Sequence, residues 1–202
     1  MKPTVFFDLG NVLVDVDKKK ALQIFASELQ VEMQSLLDFP ESDLEKDYET
    51  GHIDTEEYIQ RLHDYFNLEN RLTHDSLREI WKKPFTINNH SIVILKKVKE
   101  QAPTFLLSNT NPLHIEAIEE KYPDLLGIFD DLIFSFTAGA SKPDQHIYNF
   151  ALQKAEVEPE QALFIDDLEE NIAAAQKLGI RAHQFTNSQS MKEFLISNKI
   201  NV

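Results

Sequence analysis

Three short apolar runs in this chain each end in a polar residue with chemistry of its own. The runs and the residues that follow them are Thr4–Phe7 before Asp8, Thr104–Leu107 before Ser108, and Ala162–Ile165 before Asp166. A continuous apolar run of this length is typical of a strand that is buried on both faces of a parallel sheet. Because the carboxyl ends of parallel strands meet at one edge of a sheet, we expect the three polar residues to lie close together.

Helix signals lie between these runs. Asn111 and Pro112 suit the N-cap and the first position of a helix that includes residues His114 to Lys121. Pro143 predicts the first turn of another helix in the same way, and a final strand is expected near Arg181 to Phe185. Strands that alternate with helices predict an α/β fold built on a doubly wound, Rossmann-like parallel sheet.

Residues 17–85 interrupt this alternation, because they contain helix-like patterns only. Apolar residues share one face between Leu22 and Leu29 and again between Tyr58 and Phe66, and Asp54 and Glu57 have the spacing of a capping box. A stretch of this length is too long for a loop. We therefore predict an α/β core of residues 1–16 and 86–202, with a small helical cap of residues 17–85 inserted after the first strand. Two short hinges are expected near residues 14–17 and 84–88.

The composition excludes several classes of site and partner. The 202 residues include no cysteine, which rules out zinc-thiolate sites, thiol nucleophiles and disulfides. Twenty basic residues against 34 acidic ones give a net charge of −14, which argues against nucleic acid or an anionic membrane as a partner. No long apolar segment follows the first residues, so we expect neither a signal peptide nor a transmembrane helix, and a cytoplasmic location. The sequence does not indicate an oligomeric state.

Four short blocks with complementary chemistry follow one another along the chain. They are Asp8-Leu9-Gly10-Asn11, Leu107-Ser108-Asn109-Thr110, Ser141-Lys142-Pro143 and Phe164-Ile165-Asp166-Asp167. Together they offer a carboxylate nucleophile, a hydroxyl and an amide for phosphate oxygens, a cation, and acids that can bind a metal. Such a set can transfer a phosphoryl group through a phospho-aspartate.

The order and spacing of the four blocks resemble the haloacid dehalogenase superfamily over nearly the whole chain. The resemblance implies that Asp8 is the nucleophile, that Lys142 pairs with it, and that Ser108 and Asn109 bind the phosphoryl oxygens. It also implies a Mg²⁺ ion, because a carboxylate that attacks a phosphate dianion is repelled by it. The cap position after the first strand matches members of the superfamily that carry a cap there.

The same resemblance suggests which acids hold the metal. Asp8 and Asp167 would be side-chain ligands, and the backbone carbonyl of Gly10 would be a third ligand. Asp166 is the alternative to Asp167, since adjacent acids on a strand point to opposite sides. Asn171 would support Asp167 from the following helix.

One position departs from the pattern of the superfamily. Its phosphatases and mutases usually carry a second Asp two residues after the nucleophile, which protonates the leaving oxygen, and here that residue is Gly10. The rate should then depend steeply on the pKa of the leaving group, unless another group supplies the proton. The candidates are Glu49 or His52 in the cap, or a water held by Asn11.

The Asp8 block and the segment Tyr48 to Ile53 also resemble a bacterial subgroup that includes an α-D-glucose-1-phosphate phosphatase. The leading hypothesis is therefore a Mg²⁺-dependent phosphatase of a small phosphorylated metabolite, such as a sugar phosphate. One alternative is a 2-haloacid dehalogenase, which would release chloride without a metal and would not need the pair of acids at 166 and 167. The other is a non-catalytic, regulatory protein that binds a phosphometabolite, which Gly10 suggests.

Overall fold

The computed structural model describes residues 2–68 and 72–202 of the chain. A parallel sheet of five strands lies at its centre, in the order β5-β4-β1-β6-β7. The strands are β1 (Thr4–Phe7), β4 (Thr104–Ser108), β5 (Asp131–Phe134), β6 (Ala162–Asp166) and β7 (Arg181–Gln184), while β2 (Val14–Val16) and β3 (Phe85–Ile87) form a separate pair. The three apolar runs occupy the middle of the sheet, as predicted.

Helices cover both faces of this sheet. Those of the core are α5 (Asn89–Lys99), α6 (Pro112–Lys121), α7 (Ser135–Ala138), α8 (Gln145–Ala155), α9 (Glu169–Lys177) and α10 (Ser188–Ser197). Side chains alternate across β1, so Val5 and Phe7 belong to one buried cluster and Phe6 to the other. The α/β fold with a doubly wound parallel sheet is therefore confirmed.

Two local predictions about the core had different outcomes. Asn111 caps α6 by accepting a hydrogen bond from the N–H of His114 at 3.0 Å, and Pro112 is its first residue, as predicted. The prediction for Pro143 is wrong, because α8 begins at Gln145. Asp144 is its N-cap and accepts from the N–H of His146 at 2.8 Å, so a capping carboxylate rather than the proline fixes the start.

The segment predicted as a cap is helical. It contains α1 (Lys18–Leu29), α2 (Asp43–Glu49), α3 (Thr55–Phe66) and α4 (His74–Lys82), with short 3-10 helices at Met33–Leu36 and Phe39–Glu41. These helices share their own buried cluster, in which the rings of Tyr48 and Tyr58 stack with their centroids 4.0 Å apart. Asp54 caps α3 by accepting from the N–H of Glu57 at 2.9 Å.

Strands β2 and β3, which coincide with the two expected hinges, pair with each other as an antiparallel ribbon. The helical segment also packs against the core through α4, where the Arg78 guanidinium lies 3.0 Å from the Glu120 carboxylate on α6. Gly51 adopts a positive φ of 71° and lies so close to the core that an added Cβ would collide with the carbonyl oxygen of Phe136. The division into cap and core remains our prediction, but these contacts fasten the helical segment in place.

Within the described ranges, no helix is long and apolar enough to cross a membrane.

Candidate active site

The carboxyl edge of the sheet gathers the four sequence blocks. Asp8 follows β1 directly, Ser108 ends β4 and Asp166 ends β6, and β1 lies between the other two strands. All three side chains are buried. Parallel pairing in register thus brings Ser108 and Asp166, which are 100 and 158 positions from Asp8 in sequence, to the strand ends beside it, as the apolar runs predicted.

Lys142 joins the ends of these three strands. Its Nζ donates hydrogen bonds to Asp8 Oδ1 at 2.7 Å, to Asp166 Oδ2 at 2.6 Å and to the carbonyl of Leu107 at 3.0 Å. The side chain is only 1% exposed. An ammonium that is buried this fully remains charged only because all three of its donors find acceptors. Lys142 therefore fixes the position of the Asp8 carboxylate.

The pKa values of Asp8 and Lys142 are both raised, but for different reasons. Burial raises the pKa of Asp8, Lys142 lowers it, and Asp166 adds to the rise. Burial alone would lower the pKa of Lys142, but Asp8 and Asp166 outweigh this effect and raise it. The lysine thus stays protonated between the two carboxylates.

The two adjacent acids have different environments. Asp166 is fully buried, and besides Lys142 it accepts from the N–H of Leu168 and from Asn171 Nδ2, both at 2.9 Å. Asp167 is only partly buried and accepts from Asn11 Nδ2 at 3.0 Å. Asn171 therefore supports Asp166, which corrects our expectation that it would support Asp167.

The donor set at this edge suits a hard divalent cation. Carboxylate oxygens of Asp8, Asp166 and Asp167 all lie within 4.8 Å of one another. With the three groups ionised, Lys142 balances one negative charge and leaves two, which is the charge that a Mg²⁺ ion would balance. Oxygen ligands and this net charge fit magnesium better than a softer metal.

The loop after Asp8 has a defined backbone shape. Asn11 adopts a left-handed conformation with φ 54°, which Asn tolerates better than most residues. Its Oδ1 accepts from the N–H of Val16 at 3.1 Å, while its Nδ2 binds Asp167. An added Cβ at Gly10 would meet no atom within 4 Å, so no steric reason requires glycine there.

Ser108 and Asn109 reach the site in different ways. Both line the cavity described below, but the Asn109 side chain is bound to the main chain of Lys142. Its Nδ2 donates to the Lys142 carbonyl and its Oδ1 accepts from the Lys142 N–H, each at 2.8 Å. This clamp, which the sequence reasoning did not find, makes Asn109 a positioning residue for Lys142. Phosphate binding by Ser108 and by Asn109 stays a prediction.

A cavity of about 490 Å³ opens above this edge, between the sheet and the helical segment. Gly10, Asn11, Ser108 and Asn109 line it on the side of the core, and Glu49 lines it on the opposite side. His52 is not among the lining residues. Its exposed ring contacts Thr50 Oγ1 at 2.9 Å and lies 3.7 Å from Asp47, so the structure does not bring it to the other candidates.

Two acids of α2, the buried Glu45 and the partly buried Glu49, line this cavity. Burial, together with the charge of Glu41, raises the pKa of Glu49 to about 7. Burial also raises the pKa of Glu45 to about 8, although a hydrogen bond from the Tyr58 hydroxyl opposes the shift. At neutral pH a substantial fraction of Glu49 is therefore protonated and could donate a proton. The sequence pointed to Glu49 but not to Glu45, whose burial depends on how the helices pack.

His114 and Trp81 complete the wall on the side of α6. Burial lowers the pKa of His114 to about 3, so its imidazole is neutral. Its ring meets that of Trp81 edge-on with 3.9 Å between the centroids. The sequence did not predict that these two rings meet, because their contact depends on the packing of α4 against α6.

Known proteins resemble this chain in sequence and in fold. A family model described as haloacid dehalogenase-like hydrolase matches residues 2–179. A D-ribitol-5-phosphate phosphatase of Bacteroides thetaiotaomicron is 28% identical over 96% of this chain and 97% of its own length. Among solved structures, an enzyme of the same family from that organism, in complex with magnesium and inorganic phosphate, has a TM-score of 0.79 at 22% identity, covering 91% of this chain and 94% of its own.

A further solved structure, a predicted hydrolase of the same type from Porphyromonas gingivalis, is 28% identical with a TM-score of 0.79 over 91% of each chain. The family model covers well over half of the sequence and includes all four blocks. The chain therefore belongs to the haloacid dehalogenase-like hydrolases.

Proposed function

We propose that this chain is a Mg²⁺-dependent phosphatase that hydrolyses a small phosphorylated metabolite through a phospho-aspartate on Asp8. The observation that carries the proposal is the buried Lys142 ammonium, which holds Asp8 at 2.7 Å and Asp166 at 2.6 Å beside the oxygens of Asp167. The phosphatase relative supports a phosphatase-type hydrolase, and its substrate supports a sugar phosphate. The likeness to the subgroup with the α-D-glucose-1-phosphate phosphatase stays a prediction.

Asp8, Asp167 and the backbone carbonyl of Gly10 would hold the metal. The carboxylate of Asp166 is less suited to direct ligation, because one oxygen accepts from Lys142 and the other from Leu168 and Asn171. Bound magnesium supplies positive charge that offsets the repulsion between the phosphate and the attacking carboxylate. Asp166 then acts by orienting Lys142.

The chemistry divides into two displacements at phosphorus. In the first, an Asp8 carboxylate oxygen bonds to phosphorus, the bond from phosphorus to the alcohol oxygen breaks, and that oxygen takes up a proton. In the second, a water gives a proton to the carboxylate that protonated the alcohol and attacks the phosphorus, the bond to Asp8 breaks, and inorganic phosphate leaves. Lys142 would keep Asp8 aligned through both steps, and Ser108 would bind the transferring oxygens.

Glu49 is our choice for the group that protonates the leaving oxygen. It lines the same cavity as Ser108 and Asn109, and its pKa is raised to about 7. A general acid whose pKa lies near neutrality is well matched to this task. It would take the place of the acid that is absent at Gly10. His52 lies outside the cavity and is a weaker candidate.

A screen of phosphorylated metabolites with Mg²⁺, repeated with excess EDTA, tests the proposal. We expect phosphate release that requires the metal. Release of chloride from 2-chloropropionate without metal would instead identify a dehalogenase. If the protein does not bind Mg²⁺ and does not hydrolyse any ester, including acetyl phosphate, it would be a non-catalytic member of the family.

A further inference from the structure

The wall of the cavity that faces away from the sheet is largely apolar. Its side chains come from α1, the two 3-10 helices and α4, with Leu37 just after the first 3-10 helix, and include Leu22, Phe25, Leu36, Leu37, Phe39 and Trp81. Leu37 is 48% exposed although it lines the cavity, which leaves an unusually open apolar side chain at the wall. An apolar surface of this kind gains free energy when a ligand covers it, at about 25 cal/mol per Å².

Among the described residues, the ionisable side chains of this wall are carboxylic acids without a basic partner. They are Glu41, Glu45 and Glu49, and no Lys or Arg lies among the lining residues in the part of the chain that the structure describes. His114 also lines the cavity, but its lowered pKa keeps it neutral. A second phosphate or a carboxylate on the leaving group would meet acids without a compensating cation.

Two polar groups near this wall, Glu45 and Tyr48, are already engaged. Glu45 accepts a hydrogen bond from the Tyr58 hydroxyl, and the Tyr48 hydroxyl accepts from the N–H of Leu113 at 3.3 Å and bonds Thr55 Oγ1 at 2.9 Å. A polyol could hydrogen-bond to Glu41 or Glu49, but its remaining hydroxyls would be buried against carbon without a partner, which costs free energy. An uncharged, apolar alcohol avoids this cost.

We infer that the preferred substrates are phosphate monoesters of an uncharged alcohol with a substantial apolar part. This inference rests on the proposed phosphatase function and specifies its substrate class. The phosphoryl group would lie at the carboxyl edge of the sheet, and the alcohol would contact the apolar wall. A simple polyol phosphate, such as the substrate of the ribitol phosphate relative, would be a poorer substrate of this chain, so the apolar wall favours a different alcohol from the sugar phosphate that the relative supports.

The test compares esters that differ only in the alcohol. We would measure kcat/KM with Mg²⁺ for n-hexyl phosphate, D-ribitol 5-phosphate and 6-phosphooxyhexanoate, with acetyl phosphate as a small reference that does not reach the wall. The expected order is hexyl above ribitol above the carboxylate ester, with at least about tenfold between the first and the last, given roughly 0.8 kcal/mol per buried methylene. A ribitol or carboxylate ester that outperforms hexyl phosphate would overturn the inference and leave the phosphatase function intact.

Substitutions of the exposed Leu37 test whether the preference for an apolar alcohol arises at this wall. Leu37→Ala should lower kcat/KM for hexyl phosphate by about threefold to tenfold through lost apolar contact. Leu37→Lys should do the same and also raise kcat/KM for the carboxylate ester. Ile196 on α10 is exposed to nearly the same extent, 47% against 48%, and Ile196→Ala and Ile196→Lys serve as matched controls.

Three further results would decide the matter. Equal effects of the Leu37 and Ile196 substitutions, or no effect at Leu37, would overturn the inference. Loss of the acetyl phosphate activity in a Leu37 variant would indicate damage to the core and not to the wall, which would also count against it. Failure of the unaltered protein to hydrolyse any ester, acetyl phosphate included, would overturn the phosphatase function itself.

Discussion

The two sides of the cavity are built on opposite principles. On the side of the sheet, charged groups are buried and almost every polar atom has a partner, as at Lys142 with its three acceptors and Asp166 with its three donors. On the opposite side, carbon surface dominates and the acids are few. The sheet edge therefore fixes the geometry of a reaction, whereas the helical wall offers contact surface that selects the alcohol.

This difference indicates where changes should affect rate and where they should affect preference. A substitution at the sheet edge alters groups that act on the phosphoryl oxygens, so all substrates should suffer alike. A substitution on the wall changes contacts that depend on the alcohol. Glu49 is the exception that links the two sides, because it belongs to the wall but would act on the reacting oxygen.

The largest effect is expected at the nucleophile. Asp8→Asn keeps the size of the side chain and a possible contact with Lys142, but it removes the nucleophile, so kcat should fall by more than about a thousandfold for every ester. Phosphate release measures this loss, and thermal melting checks the fold. Asp15→Asn, an exposed aspartate on β2, is the matched control and should retain activity. Near-normal turnover by Asp8→Asn would remove the phospho-aspartate from the account.

Glu49→Gln should remove the proposed proton donor and leave the apolar contacts of the wall intact. Because burial raises the pKa of Glu49 to about 7, the acid form is present below that pH and is lost as the pH rises through it. Alkyl ester hydrolysis by the unaltered protein should therefore decline above about pH 7. In the Gln variant, the rate of alkyl ester hydrolysis at pH 6 should be about a hundredfold lower and should not decline above about pH 7. Hydrolysis of acetyl phosphate should change little, because its leaving group needs no proton.

The control for Glu49→Gln is Glu56→Gln, at an exposed position in the first turn of α3. It should leave the pH profile unchanged. A Glu49→Gln profile that matches that of the unaltered protein would show that the proton comes from elsewhere, such as a water held by Asn11.

The two adjacent acids should differ in their effect on metal binding. Asp167→Ala removes a proposed ligand and should weaken Mg²⁺ binding more than Asp166→Ala does. Asp166→Ala removes a group that orients Lys142, and it should lower the Mg²⁺ affinity by about 10–100-fold. Asp166→Ala should in turn lower the melting temperature more, because Lys142 loses one of its two carboxylate partners. Calorimetric titration of Mg²⁺ gives the first ranking, and the reverse order would show that Asp166 is the ligand.

A smaller effect is expected at Gly10, where a Cβ would meet no atom within 4 Å. Introducing Gly10→Asp into Glu49→Gln should restore an acid near the leaving oxygen and recover about tenfold of the lost alkyl ester activity. The dependence of rate on leaving-group pKa across a set of esters should become shallower at the same time. No recovery in a folded double variant would argue that position 10 does not face the leaving group.

Sequence reasoning reached the sheet edge because its signals are local. Apolar runs that end in Asp8, Ser108 and Asp166 indicate buried parallel strands, and strand ends of a parallel sheet must meet. The same reasoning failed where two local signals compete, as at Pro143, where the adjacent Asp144 caps the helix instead. Strand β5 also went unpredicted, because its four residues begin with an aspartate and show no clear period.

The cap side of the site was harder to predict, because it depends on contacts between distant helices. Nothing local to Asn109 shows that its amide will clamp the main chain of Lys142, since the two are joined only once β4 and the loop before α8 are in place. The apolar wall likewise depends on how α1 and α4 pack. Glu49 and His52 are close in sequence, yet only packing decides that Glu49 faces the cavity and His52 faces solvent.

The most direct test of the central claim is to trap the covalent intermediate at the sheet edge. The protein would be mixed with Mg²⁺ and a hydrolysed ester, quenched in acid during turnover and digested, and its peptides examined by mass spectrometry. We expect a phosphoryl group on Asp8, present in Glu49→Gln and absent from Asp8→Asn. A burst of product without any phosphorylated peptide, or a phosphoryl group on another residue, would contradict the account.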